Sequence, residues 1–276
     1  MKRLFFAVLL IAGLLLGPVV TAQADVLERI QERGEIVVGV KADYRPYGYL
    51  NPDGEVVGIE PDLAQDVADT LGVDLKLEPV VASNRMQFLD QGRIDVMIAT
   101  MTDTAERREV VNILDPDYYS SGTNIIARKK SDFSEWEDLD GVPVCGVQGA
   151  FYNEKTAREF GAEIVAFTGT SEALNALQQG RCAAFVYDDS FLASRLQEDQ
   201  WSKYNMPLTT IDDKPWGVAV KHGEERMARF MQGMVVHWHV TGRIIELEKK
   251  YGVDPIPFTK RMHEHFRTTF DPRVEE

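Results

Sequence analysis

The chain reads as an α/β protein of two lobes, each a sheet flanked by helices, hinged by two crossing strands. Three features carry that reading. Strand and helix signals alternate in a β-α-β-α-β succession over residues 35–99, a second unit of similar plan fills residues 142–196, and two extended stretches, 124–128 and 217–220, stand where the chain would pass between units. Strands alternating with helices imply parallel pairing, with the helices packed on the sheet. At 276 residues there is room for two domains of ordinary size. The expected division is a leader at 1–24, a first lobe of residues 25–126 and 221–276, and a second lobe of residues 127–220.

Each element has its own signal. Residues 35–40, Glu-Ile-Val-Val-Gly-Val, form a buried strand. Asn51-Pro52-Asp53-Gly54 is a turn between short strands, hence a hairpin. Pro61 suits the first position of a helix, Leu63, Val67 and Leu71 lie four apart on one face, and Gly72 stops it. A strand at 75–81, a short helix at 85–91 and a strand at 94–99 complete the first unit. The second has strands at 142–147, 163–167 and 183–187. Its helices run over 152–160, from an N-cap at Ser171 to Gly180, and from Asp189 to about 196. A last helix carries Met227, Phe230, Met231, Met234, Val235 and Trp238 on one face and ends at Gly242; the methionines read as core filler.

Composition narrows the function. Hydrophobic residues make up 44% and charged residues 27%, which excludes disorder and a polytopic membrane protein. The formal charge of −14 is the wrong sign for a nucleic-acid binder or for docking on an anionic membrane. Lys2 and Arg3, an apolar run over 4–16 and the small-residue site Ala22-Gln23-Ala24 form the pattern of a cleaved secretory signal with Asp25 as the mature N-terminus. The run is too short for a spanning helix, no cysteine follows it to carry a lipid, and no later stretch is apolar enough to span a bilayer. In an oxidising compartment Cys145 and Cys182 can either pair or remain buried thiols, since geometry rather than separation decides. His237/His239 and His263/His265 are two apart and do not share a helix face, so no metal site is expected. Cys145 has no catalytic partner in sequence, and Glu60, Asp62 and Asp66 read as a solvated acidic helix face.

Gly58-Ile59-Glu60-Pro61-Asp62-Leu63, then Val67-Ala68 and Leu71-Gly72, resembles the signature of the family 3 periplasmic solute-binding proteins, the amino-acid receptors of ABC importers. The resemblance runs on through Asn84-Arg85, Gly92-Arg93-Ile94-Asp95, Thr104-Ala105-Glu106-Arg107, Asp115-Pro116-Asp117-Tyr118-Tyr119, Asp138-Leu139-Asp140-Gly141, Gly180-Arg181 and Tyr187-Asp188. It covers nearly all of the mature chain. It implies a type II two-lobed fold that closes on its ligand, a periplasmic location, an ABC permease as partner, a monomer, no cofactor and no catalysis.

Residue by residue, the resemblance gives Arg107 to the ligand α-carboxylate, and a guanidinium fork matches a carboxylate. It gives Asp188 to the α-ammonium, and hydrogen bonds to the segment of Thr100 and Thr102. Tyr44 or Tyr47 would be an aromatic packing on the ligand, and Gly149 and Ala150 an anion-binding turn. Arg85 would face a side-chain carboxylate, with Lys41 adding charge near the same strand end. An acidic amino acid follows as the expected ligand. The resemblance also implies a Cys145–Cys182 disulfide in the second lobe. The sequence departs from the family at Gly149-Ala150-Phe151, where a Gly-Thr-Thr is usual, at Ala183, where an acidic residue is usual, and at Pro61, an aliphatic position. Two other readings stand beside this one: a secreted enzyme like the cyclohexadienyl dehydratases, which needs a cleft acid or base, and the binding partner of a sensory receptor. Sensory modules usually continue into a membrane helix, whereas this sequence ends at Glu276.

Overall fold

The structure, a computed structural model, describes residues 25–270; the expected leader at 1–24 lies outside the described residues. Helix α1 (Val26–Arg33) starts where the Asp25 side chain accepts the Leu27 N–H at 2.8 Å and stops at Gly34, in left-handed conformation at φ 72°. Strand β1 (Glu35–Val40) follows. The turn at 51–54 sits, as expected, in a small antiparallel sheet of β2 (Asp43–Tyr44), β3 (Gly48–Leu50) and β4 (Val56–Val57). Helix α2 (Ile59–Leu71) begins two residues before Pro61, which stands in its first turn. Then come β5 (Asp74–Pro79), α3 (Arg85–Asp90), β6 (Val96–Met97), α4 (Ala105–Arg108) and β7 (Asn112–Ile113). β1 pairs in parallel with β5 and β6.

The second sheet begins earlier than the sequence suggests. Residues 124–128, expected as a connector, are the second half of β8 (Tyr119–Arg128), a ten-residue strand inside that sheet. It is followed by β9 (Pro143–Val147), α5 (Tyr152–Phe160), β10 (Glu163–Phe167), α6 (Thr170–Gln178), β11 (Ala184–Asp188), α7 (Asp189–Leu196), β12 (Tyr204–Asn205) and β13 (Ile211–Trp216). The order is β10-β9-β11-β8-β12, with β13 also on β8; β9 is parallel to its neighbours and β8 antiparallel to its own. Helix α6 starts at Thr170, not after a Ser171 cap; Gly169 takes the cap position.

The chain returns through β14 (Ala219–Val220), which slots between β6 and β7 and closes the first sheet as β5-β1-β6-β14-β7. Helices α8 (Glu225–Thr241), α9 (Arg243–Lys250) and α10 (Pro257–Phe270) finish it. Met227, Met231, Met234, Val235 and Trp238 of α8 are buried as the face pattern requires, each stabilising by roughly 1.5–3 kcal/mol. Phe230 is only partly buried.

The two crossings run side by side. Leu114 N–H donates to Val218 O at 2.9 Å, and Tyr118 N–H to Trp216 O at 3.0 Å. Gly217 lies between them, where an added Cβ would stand 2.2 Å from Ile113 Cγ2, so a side chain there would wedge the crossings apart. In the second sheet Cys145 of β9 is bridged to Cys182, two residues ahead of β11, with Cα atoms 5.5 Å apart. No described helix is long and apolar enough to cross a membrane.

Candidate functional site

Parallel strands end together, and the side chains and turns just past those ends face the gap between lobes. On the first-lobe side β1 leads directly into Lys41, and β6 leads into Ala99-Thr100-Met101-Thr102. The short helices α3 and α4 add Arg85 and Arg107. All three cations are buried. Thr104 caps α4, accepting the Arg107 N–H at 3.3 Å. The Arg107 guanidinium donates to Thr102 O at 2.7 Å and, across the gap, to Gly149 O at 3.1 Å. Arg85 donates to Ala99 O, while its Nε is buried with no hydrogen-bond partner among the described residues. Lys41 Nζ lies 3.1 Å from Asp43 Oδ1, close enough for ion pairing but misaligned for a hydrogen bond. Burial lowers the pKa of Lys41 and Arg85; burial and then the Arg85 charge bring Arg107 down to about 9.

Glu60 lies beneath this wall and is wholly buried, contrary to the expected solvated face. Its Oε1 accepts the Thr100 N–H at 2.6 Å and the Tyr118 hydroxyl. Thr100 is held there at φ 47°, a left-handed conformation costly for a β-branched residue. Burial pushes Glu60 up to about 7 against the opposing pull of Tyr118, Thr100, Arg85 and Lys41. Asp62 and Asp66 are also engaged, with Lys250 and Arg243 respectively.

The opposite wall comes from the second lobe: the turn after β9, the first turn of α5 and the end of β11. Gly149 has φ 76°, and a Cβ there would sit 2.9 Å from Ser83 Cα of the first lobe, so this close approach requires glycine. Its carbonyl faces Arg107, and the Ala150 N–H is committed to Val147 O at 3.0 Å. Asp188 occupies the cap position of α7 but does not cap it. Its Oδ2 accepts from Tyr44 of the first lobe and, at 3.4 Å, from Tyr152. Asp189 instead braces β8, accepting the Gly122 N–H at 2.9 Å and the Ser121 hydroxyl at 2.8 Å. Burial raises Asp188 to about 7, only partly offset by the Tyr44 hydrogen bond. At the rim, Asp43 accepts the Thr170 N–H at 2.7 Å. Burial alone would raise the Asp43 carboxyl, but Lys41 and this N–H hold it below its ordinary value.

The walls leave a cavity of only about 10 Å³ between them. Arg85, Arg107, Thr100, Thr102, Ala150 and Asp188 line it, joined by Lys41, Tyr152 and Tyr187. Gly149 is not part of the lining and meets the site through its carbonyl, which accepts from Arg107. Tyr44 and Tyr47, one of them expected to pack on the ligand, do not line the space; both are fully buried in an aromatic cluster, with ring centroids 5.4 Å apart, Tyr44 4.7 Å from Phe191 and Tyr47 4.9 Å from Trp216. Tyr44 reaches the gap only through Asp188. Sequence reasoning missed Glu60, although Leu63, Ala64 and Val67, three, four and seven positions on, are buried and place it on the core face of α2. Elsewhere Asp103, Asp115 and Asp117 gather their carboxylates within 4.8 Å of one another, but Arg108 bridges Asp103 and Asp115 at 2.6 and 2.8 Å and neutralises much of that charge.

Two α/β lobes, a double crossing and a gap lined by strand ends define a two-lobed binding protein of the type II kind. The model of the bacterial extracellular solute-binding proteins, family 3, matches residues 36–254, and the chain belongs to that family. It is 31% identical to the ABC transporter glutamine-binding protein GlnH of Bacillus subtilis (strain 168) over 83% of this chain and 85% of that protein. It is 22% identical to the glutamate/aspartate import solute-binding protein of Salmonella typhimurium, over 86% of this chain and 82% of that one. Among solved structures, a mutant of ArgBP from T. maritima superposes with a TM-score of 0.77 at 28% identity, covering 82% of this chain and 98% of that one.

Proposed function

We propose that this protein is the periplasmic substrate-binding component of an ABC amino-acid importer, exported by a cleaved leader, monomeric, and selective for an acidic amino acid. The observation that carries the reading is the charge of the cavity wall, where three buried cations face one carboxylate. Burial disfavours each of those cations, and a ligand bringing carboxylates restores what burial removes. In this reading Arg107 holds the α-carboxylate through its bidentate fork, Asp188 accepts the α-ammonium, and Lys41 with Arg85 meets the side-chain carboxylate. Thr100 and Thr102 supply hydroxyl and main-chain hydrogen bonds. The space between the walls is too small to admit an amino acid, so entry requires the lobes to part, and closure brings the opposed charges together. We place the lobe boundary at the two crossings: residues 25–116 and 219–270 form one lobe, residues 119–216 the other.

A thermal-shift panel of the twenty amino acids, followed by calorimetry, tests this. At a hundredfold excess over Kd the right ligand stabilises by about 2.7 kcal/mol. L-glutamate or L-aspartate is expected to give the largest shift; no shift from any amino acid at millimolar concentration overturns the reading. Asp188, a cleft acid raised to about 7, is the one feature suiting the dehydratase alternative. Turnover of prephenate or arogenate would establish that alternative.

A further inference from the structure

We infer that Glu60 couples the charge of the bound amino acid to a proton: an acidic ligand is taken up together with a proton from solvent on Glu60, and a neutral one is not. The inference rests on the acidic reading above and adds a residue that does not line the cavity.

The geometry is specific. Glu60 sits in the first turn of α2, fully buried. Oε1 is satisfied by the Thr100 N–H and the Tyr118 hydroxyl, while Oε2 is buried with no hydrogen-bond partner among the described residues, leaving an acceptor site for a proton. The groups that act on it come from every side. Lys41 follows β1, Arg85 stands on α3, Tyr118 on the first crossing, and Thr100 follows β6. Its helix neighbour Asp62 turns away to Lys250 and Tyr251. Lys41 and Arg85 are thus shared between Glu60 and the cavity. A ligand carboxylate resting on them adds a like charge near Glu60 and weakens the attraction that keeps Glu60 ionised. A carboxyl already raised to about 7 then takes the proton.

Asp188 responds with the opposite sign. The ligand ammonium favours its ionised form and releases a proton, but that response belongs to every α-amino acid and cancels when glutamate is compared with its amide, glutamine. Glu60 is a positioning residue here: it acts through Thr100, Lys41 and Arg85 without touching the ligand.

The test is calorimetric titration of the mature protein, freed of bound amino acid, with L-glutamate and L-glutamine from pH 6 to 8, in phosphate and in Tris at pH 7 to count protons. Affinity for glutamate relative to glutamine is expected to fall roughly 5- to 10-fold from pH 6 to 8, with more protons taken up for glutamate at pH 7. In Glu60→Gln that fall disappears and glutamate binds more tightly than in the wild type at pH 8. Parallel profiles for the two ligands, equal proton counts, or an unchanged profile in Glu60→Gln overturn the inference while leaving the acidic reading intact. If glutamine does not bind, the glutamate profiles of the wild type and Glu60→Gln decide. If Glu60→Gln does not fold, the wild-type proton count decides. Absence of both glutamate and aspartate binding at every pH overturns the acidic reading and this inference together.

Discussion

The two walls of the cleft rise from the same kind of strand ends but carry different chemistry. On the first-lobe wall Lys41, Arg85 and Arg107 are gathered above a buried Glu60 and a strained Thr100, the two arginines donating to main-chain carbonyls and Lys41 ion-paired with Asp43. On the second-lobe wall one carboxylate, Asp188, is set among Tyr152 and Tyr187, and the sheet behind it is tied by the Cys145–Cys182 bridge. In the proposed reading the first wall holds the α-carboxylate with Arg107 and reads the side-chain charge of a ligand with Lys41 and Arg85. In the same reading the second offers a single acceptor, Asp188, for the ammonium that every α-amino acid carries, on a sheet tied by the disulfide. Side-chain selectivity then belongs to the first lobe, while general affinity is shared between Arg107 on the first wall and Asp188 on the second.

Several changes would break or sharpen that division. Removing the bridge with Cys145→Ser and Cys182→Ser together strikes only the second lobe. Loop closure over 37 residues gives about 4 kcal/mol, and hydrogen exchange is expected to rise in β9, β10 and β11 while the first sheet keeps its protection. Next, Arg107→Ala is expected to lower affinity by 100-fold or more for every amino acid, on the order of 3 kcal/mol, as calorimetry would read. Asp188→Asn should also act on all ligands alike, by roughly 30-fold. Arg85→Met separates the walls most clearly: about a tenfold loss for glutamate with under threefold change for glutamine is expected, and equal losses would deny the first wall its role in selectivity.

The smallest effect is on pH. Glu60 and Asp188 both have folded-state values near 7, above their ordinary 4.5 and 3.8. Between those limits the folded chain binds more protons than the unfolded one, so their contribution makes stability fall as pH rises from about 4.5 to 7. Asp43, held low, acts the other way, but only below about pH 4, as its carboxyl takes up a proton. Asp117, also raised to about 7 by burial, adds to the fall, and His239, lowered to about 4 by burial, offsets part of it below about pH 6.5. The melting temperature of the protein stripped of amino acids is expected to be a few degrees lower at pH 8 than at pH 5.5, and a flat or rising profile would mean that the raised carboxyls do not outweigh His239.

Much of the frame was legible because periodicity and turn chemistry are local. The predicted helix at 152–160 matches α5 and the strand at 163–167 matches β10, each bounded by glycine or turn residues. Residues 119–124 were opaque for a physical reason. Ser120, Ser121, Thr123 and Asn124 are all buried in β8, a polar run that looks like a connector until the partners of Ser121 and Asn124 are seen: Asp189, Ser190, Thr210 and the Leu208 carbonyl. The arginines were found through motif resemblance rather than through local signals. The burial of Lys41 and Glu60 depends on strands and helices far apart in sequence, and only the helical spacing from Glu60 to Leu63 and Val67 hinted at it.

The paired crossings have a mechanical consequence. Two adjacent segments, bonded to each other at Leu114–Val218 and Tyr118–Trp216, behave as one axle. Were the lobes to part by rotation about that axle, the ring cluster of Tyr47, Tyr119 and Trp216, whose Trp216 stands on the crossing itself, would move least. Two polar contacts bridge the walls in the closed arrangement, Asp43 with Thr170 and Arg107 with Gly149. In the proposed opening these contacts must break, so one altered side chain among them would shift the balance between parted and closed lobes.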